Sequence, residues 1–401
     1  MKDAYAEGLF SKAFTGKYDF VGFSVYTGFH KPMFRKADVF REEGFKVIMG
    51  GPHATYFSEE CRRHSDFVVV GEGLRSVKSI ASGEMTDGLA FLPGLVPANK
   101  IPIPDRDSLY EASPGHLENP IKNVMTSFGC PFTCSYCFND SYKKLYGDHF
   151  SIRQRSVDSV IEECQQIKSK YPLDLIYFQD DCFGLDMKWL EDFVPKYKRA
   201  VALPFHAQVR SEMINDDRLK LFKEAGCHGI TMAVECFRED IRKKLLNRNM
   251  TNESIKRSCS MIKESGMKLR TEQMLGLPET SLADELDLLS FNMDLDPEIA
   301  WASIYSPYLG TRLGDACKQE GIYEGNNDDL ADSFFSSTRL NFDPARKRRT
   351  NALQKMFSTC AKLPKGDLLA KKFFNESPEL NFDTWFDQVR KHLYDNYLYK
   401  I

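Results

Sequence analysis

Three thiols crowd into eight residues of this 401-residue chain, at Cys130, Cys134 and Cys137, within Ser127-Phe-Gly-Cys-Pro-Phe-Thr-Cys-Ser-Tyr-Cys-Phe. A C-x3-C-x2-C spacing lets one short loop wrap three thiolates around a single iron-sulfur cube, leaving its fourth iron without a protein ligand. An iron with a vacant corner can bind and activate a small molecule. Two plainer uses compete with that reading. A structural zinc takes four ligands, and neither the neighbouring cysteines nor His149, the nearest imidazole, supply a second paired half at a recognised spacing. A pure electron-transfer cluster is ordinarily held by four cysteines. The eleven cysteines are an odd number, and eight of them are scattered through periodic segments, which is poor material for a disulfide framework.

The elements around the cysteine run follow from patterning. NVMTS, DLIYFQ, PFHAQV, HGITMAVE, KLRTEQML and IAWASIY read as six strands, with helical spacing near 154–170, 187–199, 216–225, 238–265 and 281–294 between them. Gly226 and Gly266 each end a helical pattern just before a strand, as C-terminal caps do. Upstream, the apolar runs at 18–25, 45–50 and 67–70 alternate with PMFRKADVFREEG and ATYFSEECRRH, which makes residues 1–82 consecutive βα units. The stretch between, with Pro93, Pro97, Pro102, Pro104 and Pro114, reads as a connection without sustained period. Downstream, KRRTNALQKMFSTCAKL and DTWFDQVRKHLYDNYLYK suit amphipathic helices, and the basic run Arg346–Arg349 reads as a solvated helix face.

The expected class is α/β: a partial (β/α)6 barrel over 121–315, preceded by a shortened doubly wound half-domain over 1–86 and the connection 87–120, and followed by a helical region over 316–401. Lys and Arg number 54 against 57 Asp and Glu, so the net charge of −3 gives no pull toward nucleic acid or anionic membrane. No run approaches the roughly 18 uninterrupted apolar residues of a spanning helix. The opening MKDAYAEGLFSKAF carries charge where a signal peptide needs an apolar run, so a cytoplasmic location is expected.

Cys130-x3-Cys134-x2-Cys137 with an aromatic Tyr136 before the last cysteine resembles the radical S-adenosylmethionine (SAM) superfamily motif. The resemblance implies a [4Fe-4S] cluster whose open iron is chelated by the amino and carboxylate groups of SAM. It also implies reductive cleavage of SAM to methionine and a 5′-deoxyadenosyl radical that takes hydrogen from an unactivated carbon. By the same resemblance Tyr136 lies near the adenine. The strand-end segment Gln179-Asp180-Asp181 accepts from the SAM ammonium, with Asp180 preferred because Asp181 also suits a helix cap. Gln208 belongs to the same set of strand-end polar groups, Arg210 holds the SAM carboxylate or else pairs with Glu212 or Glu235, and Glu235 bonds the ribose. Gly276 in Met274-Leu-Gly-Leu-Pro-Glu lets backbone flank the adenine, and Ser306-Pro-Tyr-Leu-Gly-Thr resembles the segment that closes such barrels.

Residues 18–82 resemble the cobalamin-binding domain that precedes the barrel in one radical SAM class, through Val21-Gly-Phe-Ser24, Gly50-Gly51-Pro-His-Ala-Thr and Gly71-Glu-Gly. A whole domain of this kind opens with a further strand-helix-strand of about fifty residues, which this sequence lacks before residue 18. It also lacks D-x-H-x-x-G, so His30 and His53 are expected as loop or turn residues rather than cobalt ligands. Two accounts stay open. Either cobalamin binds and methyl transfer is the outcome, or the half-domain is a remnant and the enzyme is a cyclase, dehydrogenase, rearrangement enzyme or epimerase. A non-catalytic iron-sulfur protein is the reading from another class. The implied partners are a small-molecule or peptide substrate and an electron donor such as a flavodoxin or ferredoxin, with neither membrane nor nucleic acid.

Overall fold

The computed structural model describes residues 18–86, 88–330, 333–368 and 370–371. The chain forms two compact units, one from Met1–Val96, Ser135–Ser151 and Ser306–Ser333, the other from Pro97–Cys134, Ile152–Tyr305 and Phe334–Ile401. The segments 135–151 and 306–333 join the first unit through side-chain contacts that sequence spacing does not show. Arg312 Nε reaches Asp140 at 2.7 Å, Ser141 donates to the Gly310 carbonyl, and Tyr56 stacks on Phe138 at 4.9 Å. The Ser306–Thr311 segment, expected to close the barrel, therefore belongs to the unit of the N-terminal sheet.

That sheet has four parallel strands in sequential order, β1 (Phe20–Ser24), β2 (Lys46–Gly50), β3 (Phe67–Val69) and β4 (Gly88–Ala90). Its core is Val47, Met49 and Val68 against Phe34, Ala37 and Phe40 of the helix His30–Glu42. β4 lies in the proline-dense stretch read as a connection, and so do the helices Arg106–Ala112 and Pro114–Glu118, which the absence of a long period concealed. ATYFSEECRRH forms two short helices, Pro52–Tyr56 and Ser58–Arg62, rather than one.

The second unit is built on six parallel strands, β5 (Ile121–Val124), β8 (Leu175–Phe178), β9 (Phe205–Val209), β10 (Cys227–Glu235), β11 (Lys268–Leu275) and β12 (Ile299–Ile304), with the short antiparallel pair β6 (Ser127–Phe128) and β7 (Arg153–Gln154) beside the cysteine run. The expected six strands are thus present, in sequential order without a reversal. Right-handed crossovers taken in one direction put the connecting helices on one face of such a sheet. Ile176, Phe178, Phe205, Ala207, Ile230, Met232 and Leu269 pack there, with Phe178 and Phe183 stacked at 4.7 Å. Truncating one of these rings would cost about 3–5 kcal/mol. Strand alternation turns Tyr177, His206, Thr231, Arg270 and Glu272 to the other face, where His206 Nε2 meets Thr231 Oγ1 at 2.7 Å and Arg270 meets Glu272 at 2.6 Å. One face is oily and the other polar.

The helices of this unit start where their sequences say. Ser156, Asp186, Asn215, Thr251 and Ser281 each accept from a backbone N–H of the first turn, and Thr251 and Ser281 complete capping boxes. Each cap contributes about 1 kcal/mol. Asp186, not Asp181, caps the helix Met187–Ala200. Gly226 ends Asp216–Ala225 in a left-handed conformation, as expected. The helix Pro344–Cys360 also forms, but Arg346 is half-buried over the Phe342 ring at 3.5 Å, so the basic run is not a uniformly solvated face. The expected helix in DTWFDQVRKHLYDNYLYK lies outside the described residues. Among the described residues no helix is long and apolar enough to cross a membrane.

Candidate active site

The cysteine run begins three residues after β6 opens, and its lead-in is anchored from below. Asp180, 0% exposed just past β8, accepts from the Thr126 amide at 3.1 Å, from Thr126 Oγ1 at 2.7 Å and from Ser127 Oγ at 2.5 Å. Gln154 donates to the Thr126 carbonyl at 2.9 Å, and Arg155 to the Met125 carbonyl at 2.8 Å. Burial raises the Asp180 pKa, against the pull of its Ser127 and Thr126 donors. This corrects the expectation that Asp180 meets a ligand, because its carboxylate faces the backbone that launches the loop. The neighbouring positions are different. Half-buried Gln179 donates to Asn123 Oδ1 at 3.1 Å and accepts from Gln208 at 3.2 Å, a polar row along the ends of β5, β8 and β9.

None of the eleven cysteines is in a disulfide. Cys134 is buried, while Cys130 and Cys137 are half-buried, and Cys137 is the N-cap of the helix Phe138–Tyr146, where an anion is favoured. Tyr136 is half-buried between them in sequence. Two guanidiniums reach the Cys134 sulfur, Arg210 Nη1 at 3.1 Å and Arg248 Nη1 at 3.8 Å. The rest of the Arg210 fork holds Glu212 at 3.2 and 2.5 Å, and its plane covers Phe132 at 3.7 Å. Of the alternatives open for Arg210, pairing with Glu212 is the one formed. Glu235 pairs with Arg248 at 3.5 Å and takes a positive φ of 68°, the left-handed conformation that a glutamate adopts only when its surroundings hold it there.

The sequence reading missed the clamp supplied by residues 247–250. Asn247 Nδ2 donates to both Thr133 O and Thr133 Oγ1 at 2.8 Å, one residue before Arg248 reaches Cys134. Buried Arg242 pins the far end through Met250 O at 3.0 Å. The only prior signal was Asn247 itself, a residue tolerant of the φ of 54° found there. A fourth sulfur is also present: Cys182, 2% exposed, hydrogen-bonds Cys130, and that contact with burial pushes its pKa far up.

Two glycines chosen for ligand approach are explained by the chain itself. Gly276 has φ 71°, donates to Glu285 at 2.9 Å, and a Cβ there would meet Thr338 and Thr350 at 3.6 Å. Gly51 has φ 96°, and its Cβ would lie 2.8 Å from the Val25 carbonyl. Ser24 and Gly50 end β1 and β2 as register partners, Ser24 exposed and the Cβ direction of Gly50 meeting only Val69. They fit approach by a ligand, but the glycine pair alone no longer argues for one.

His30, His53 and Glu60 also converge within 4.8 Å. His30 and His53 prove to be buried helix residues, not loop residues. Their rings stack at 4.3 Å with 17° between planes, so no single ion can lie in both planes, where imidazole lone pairs point. The Gly28 amide donates to His30 Nδ1, which leaves Nε2 as the donor to Asp328 at 3.0 Å. Burial, then the neighbouring His30, lowers the His53 pKa to about 3. This is a packed, hydrogen-bonded ring pair rather than a metal centre.

The donor set fits an iron-sulfur cluster: three thiols outside any disulfide on one loop, with cationic donors at the most buried sulfur. Comparison with known proteins agrees. Residues 124–291 match the Radical SAM superfamily. An uncharacterised methyltransferase of Pyrococcus horikoshii is 28% identical over 323 residues, covering 74% of this chain and 68% of that one. The anaerobic magnesium-protoporphyrin IX monomethyl ester cyclase of Rubrivivax gelatinosus is 24% identical over 304 residues, covering 67% of this chain and 53% of its own. In fold, the cobalamin-dependent S-adenosylmethionine radical enzyme OxsB, solved with aqua-cobalamin bound, superposes with a TM-score of 0.66 at 15% identity, covering 96% of this chain and 68% of that one. Over residues 124–291, which carry the loop of Cys130, Cys134 and Cys137, the chain is similar to the radical SAM superfamily.

Proposed function

We propose that Cys130, Cys134 and Cys137 hold a [4Fe-4S] cluster with one iron open to SAM, and that the enzyme takes hydrogen from an unactivated carbon of a small-molecule substrate. When bound, the cluster supplies the electron that cleaves SAM to methionine and a 5′-deoxyadenosyl radical. The chain's own residues position the reactants. Gln179 and Gln208 offer amides at the strand ends to the SAM amino group, Glu235 offers its carboxylate to the ribose, and Tyr136 packs near the adenine. Asp180 and Arg210 act on the loop instead, the first by fixing its lead-in and the second at Cys134. A flavodoxin or ferredoxin supplies the electron, and eleven cysteines without a disulfide suit the reducing cytoplasm.

Methyl transfer with cobalamin at the carboxyl ends of β1 and β2, near Ser24, Gly50 and Gly51, is the reading favoured by the methyltransferase relative and the cobalamin-bound neighbour. Ring closure is the second reading, supported by the cyclase relative. The cysteine loop carries the proposal: three thiols in eight residues, none in a disulfide, with two buried guanidiniums at one sulfur. Anaerobically reconstituted protein reduced with dithionite in the presence of SAM should release 5′-deoxyadenosine. None from a fully loaded cluster would remove the radical reading. Stoichiometric cobalt after incubation with hydroxocobalamin supports methyl transfer, and none under saturation removes it.

A further inference from the structure

We infer that Arg210 and Arg248 set the readiness of the cluster to accept an electron, by placing two positive N–H donors on the sulfur of Cys134. This rests on the cluster reading above and adds a role that the reading does not require. Both side chains are nearly sealed from water, the residues being 7% and 4% exposed, so solvent screens their charge weakly. Neither is free to drift. Arg210 is held by the Glu212 carboxylate on one edge, by Phe132 beneath it at 3.7 Å, and by the Met250 sulfur at 3.8 Å. Arg248 is held by Glu235 at 3.5 Å and by the Ala233 carbonyl at 2.7 Å.

Reduction adds one negative charge to the cube and its thiolates, and hydrogen bonds and net charge near the sulfurs are what set such potentials. Arg210 directs its Nη1 at the sulfur while its Nε and Nη2 atoms face Glu212 on the opposite edge, and Arg248 shares its Nη1 between the sulfur at 3.8 Å and Glu235 at 3.5 Å. The cations therefore favour the reduced form, and the carboxylates temper them. A purely structural role predicts no such sign. If electrostatics acts, removing an arginine and removing Glu212 must move the potential in opposite directions.

The test is a redox titration of the [4Fe-4S] cluster followed by electron paramagnetic resonance, without SAM, on wild type, Arg210→Gln, Arg248→Gln, Arg210→Lys and Glu212→Gln. Iron content is measured first. Wild-type protein that takes up no iron defeats the cluster reading, whereas full iron with unmoved potentials defeats only this inference. Each glutamine variant at an arginine should lower the equilibrium constant for reduction about tenfold, a fall of about 59 mV for one electron. Arg210→Lys should recover part of that fall, since it restores the charge but not the fork. Glu212→Gln should raise the potential. If the arginine variants fail to hold iron, Glu212→Gln decides alone: a rise upholds the inference, and an unchanged or lower value overturns it. Shifts of one sign for arginine and glutamate variants would also overturn it.

Discussion

Replacing Asp180 with alanine separates the two roles available to a strand-end carboxylate. The structure gives Asp180 three donors, the Thr126 amide and the Thr126 and Ser127 hydroxyls, at 3.1, 2.7 and 2.5 Å. A buried amide left without an acceptor costs about 1–3 kcal/mol, and hydroxyls that can turn elsewhere cost less. Thr126 Oγ1 would keep the bond it accepts from Gln154 Nε2 at 3.2 Å while losing its own acceptor. Removing the buried carboxylate also relieves the desolvation that raises its pKa. The net local loss is therefore about 2–3 kcal/mol, which corresponds to about 30- to 150-fold faster opening of the segment. Hydrogen-deuterium exchange of the peptide spanning β5 and β6 reads this directly, with Asp180→Asn as the control that keeps size and one acceptor. Unchanged protection in Asp180→Ala, together with weakened SAM affinity at full iron content, would refute the reasoning and return this carboxylate to the ligand.

Cys182→Ala should retain the full iron content and its response to SAM, because Cys182 packs in the core beside Phe183 and three loop thiols suffice; loss of iron would mean that a fourth thiolate holds the cube. Gly51→Ala forces a side chain to φ 96° and to within 2.8 Å of the Val25 carbonyl, so it should destabilise by more than about 2 kcal/mol and lower Tm by several degrees. An unchanged Tm would show that the turn relaxes. Burial, followed by Arg270 and His228, lowers the His206 pKa to about 3. The folded state then binds fewer protons than the unfolded state between about pH 6.5 and 3. Stability should accordingly fall on acidification through that window, by up to about 1.4 kcal/mol per pH unit from this group. His206→Asn should flatten the slope measured by urea unfolding between pH 6.5 and 5, and an unaltered slope would contradict the assignment.

The long, strongly patterned elements were legible because physics writes them into composition. The strands of the six-stranded sheet turn apolar residues to one face at alternate positions, and five helices of this unit open on Ser156, Asp186, Asn215, Thr251 and Ser281. β4 was not legible, since three residues among prolines carry no period. Asp180 was misread although a signal existed: Phe178 packs toward the helices, so the position two further on shares its side, while Gln179 follows Tyr177 to the polar face. Gly51 and Gly276 were read as openings for a ligand, and sequence cannot tell such an opening from space the chain fills itself. Arg248 was invisible for another reason. It follows Asn247 in a loop with no pattern, and it meets Cys134 across 114 residues of chain.

The central claim is that one iron of the cluster has no protein ligand and receives SAM. Electron-nuclear double resonance on the reduced cluster, with SAM labelled at its amino nitrogen and carboxylate carbon, tests this at the metal itself. The account predicts hyperfine coupling from both labels. A cluster signal that is indifferent to SAM would contradict it.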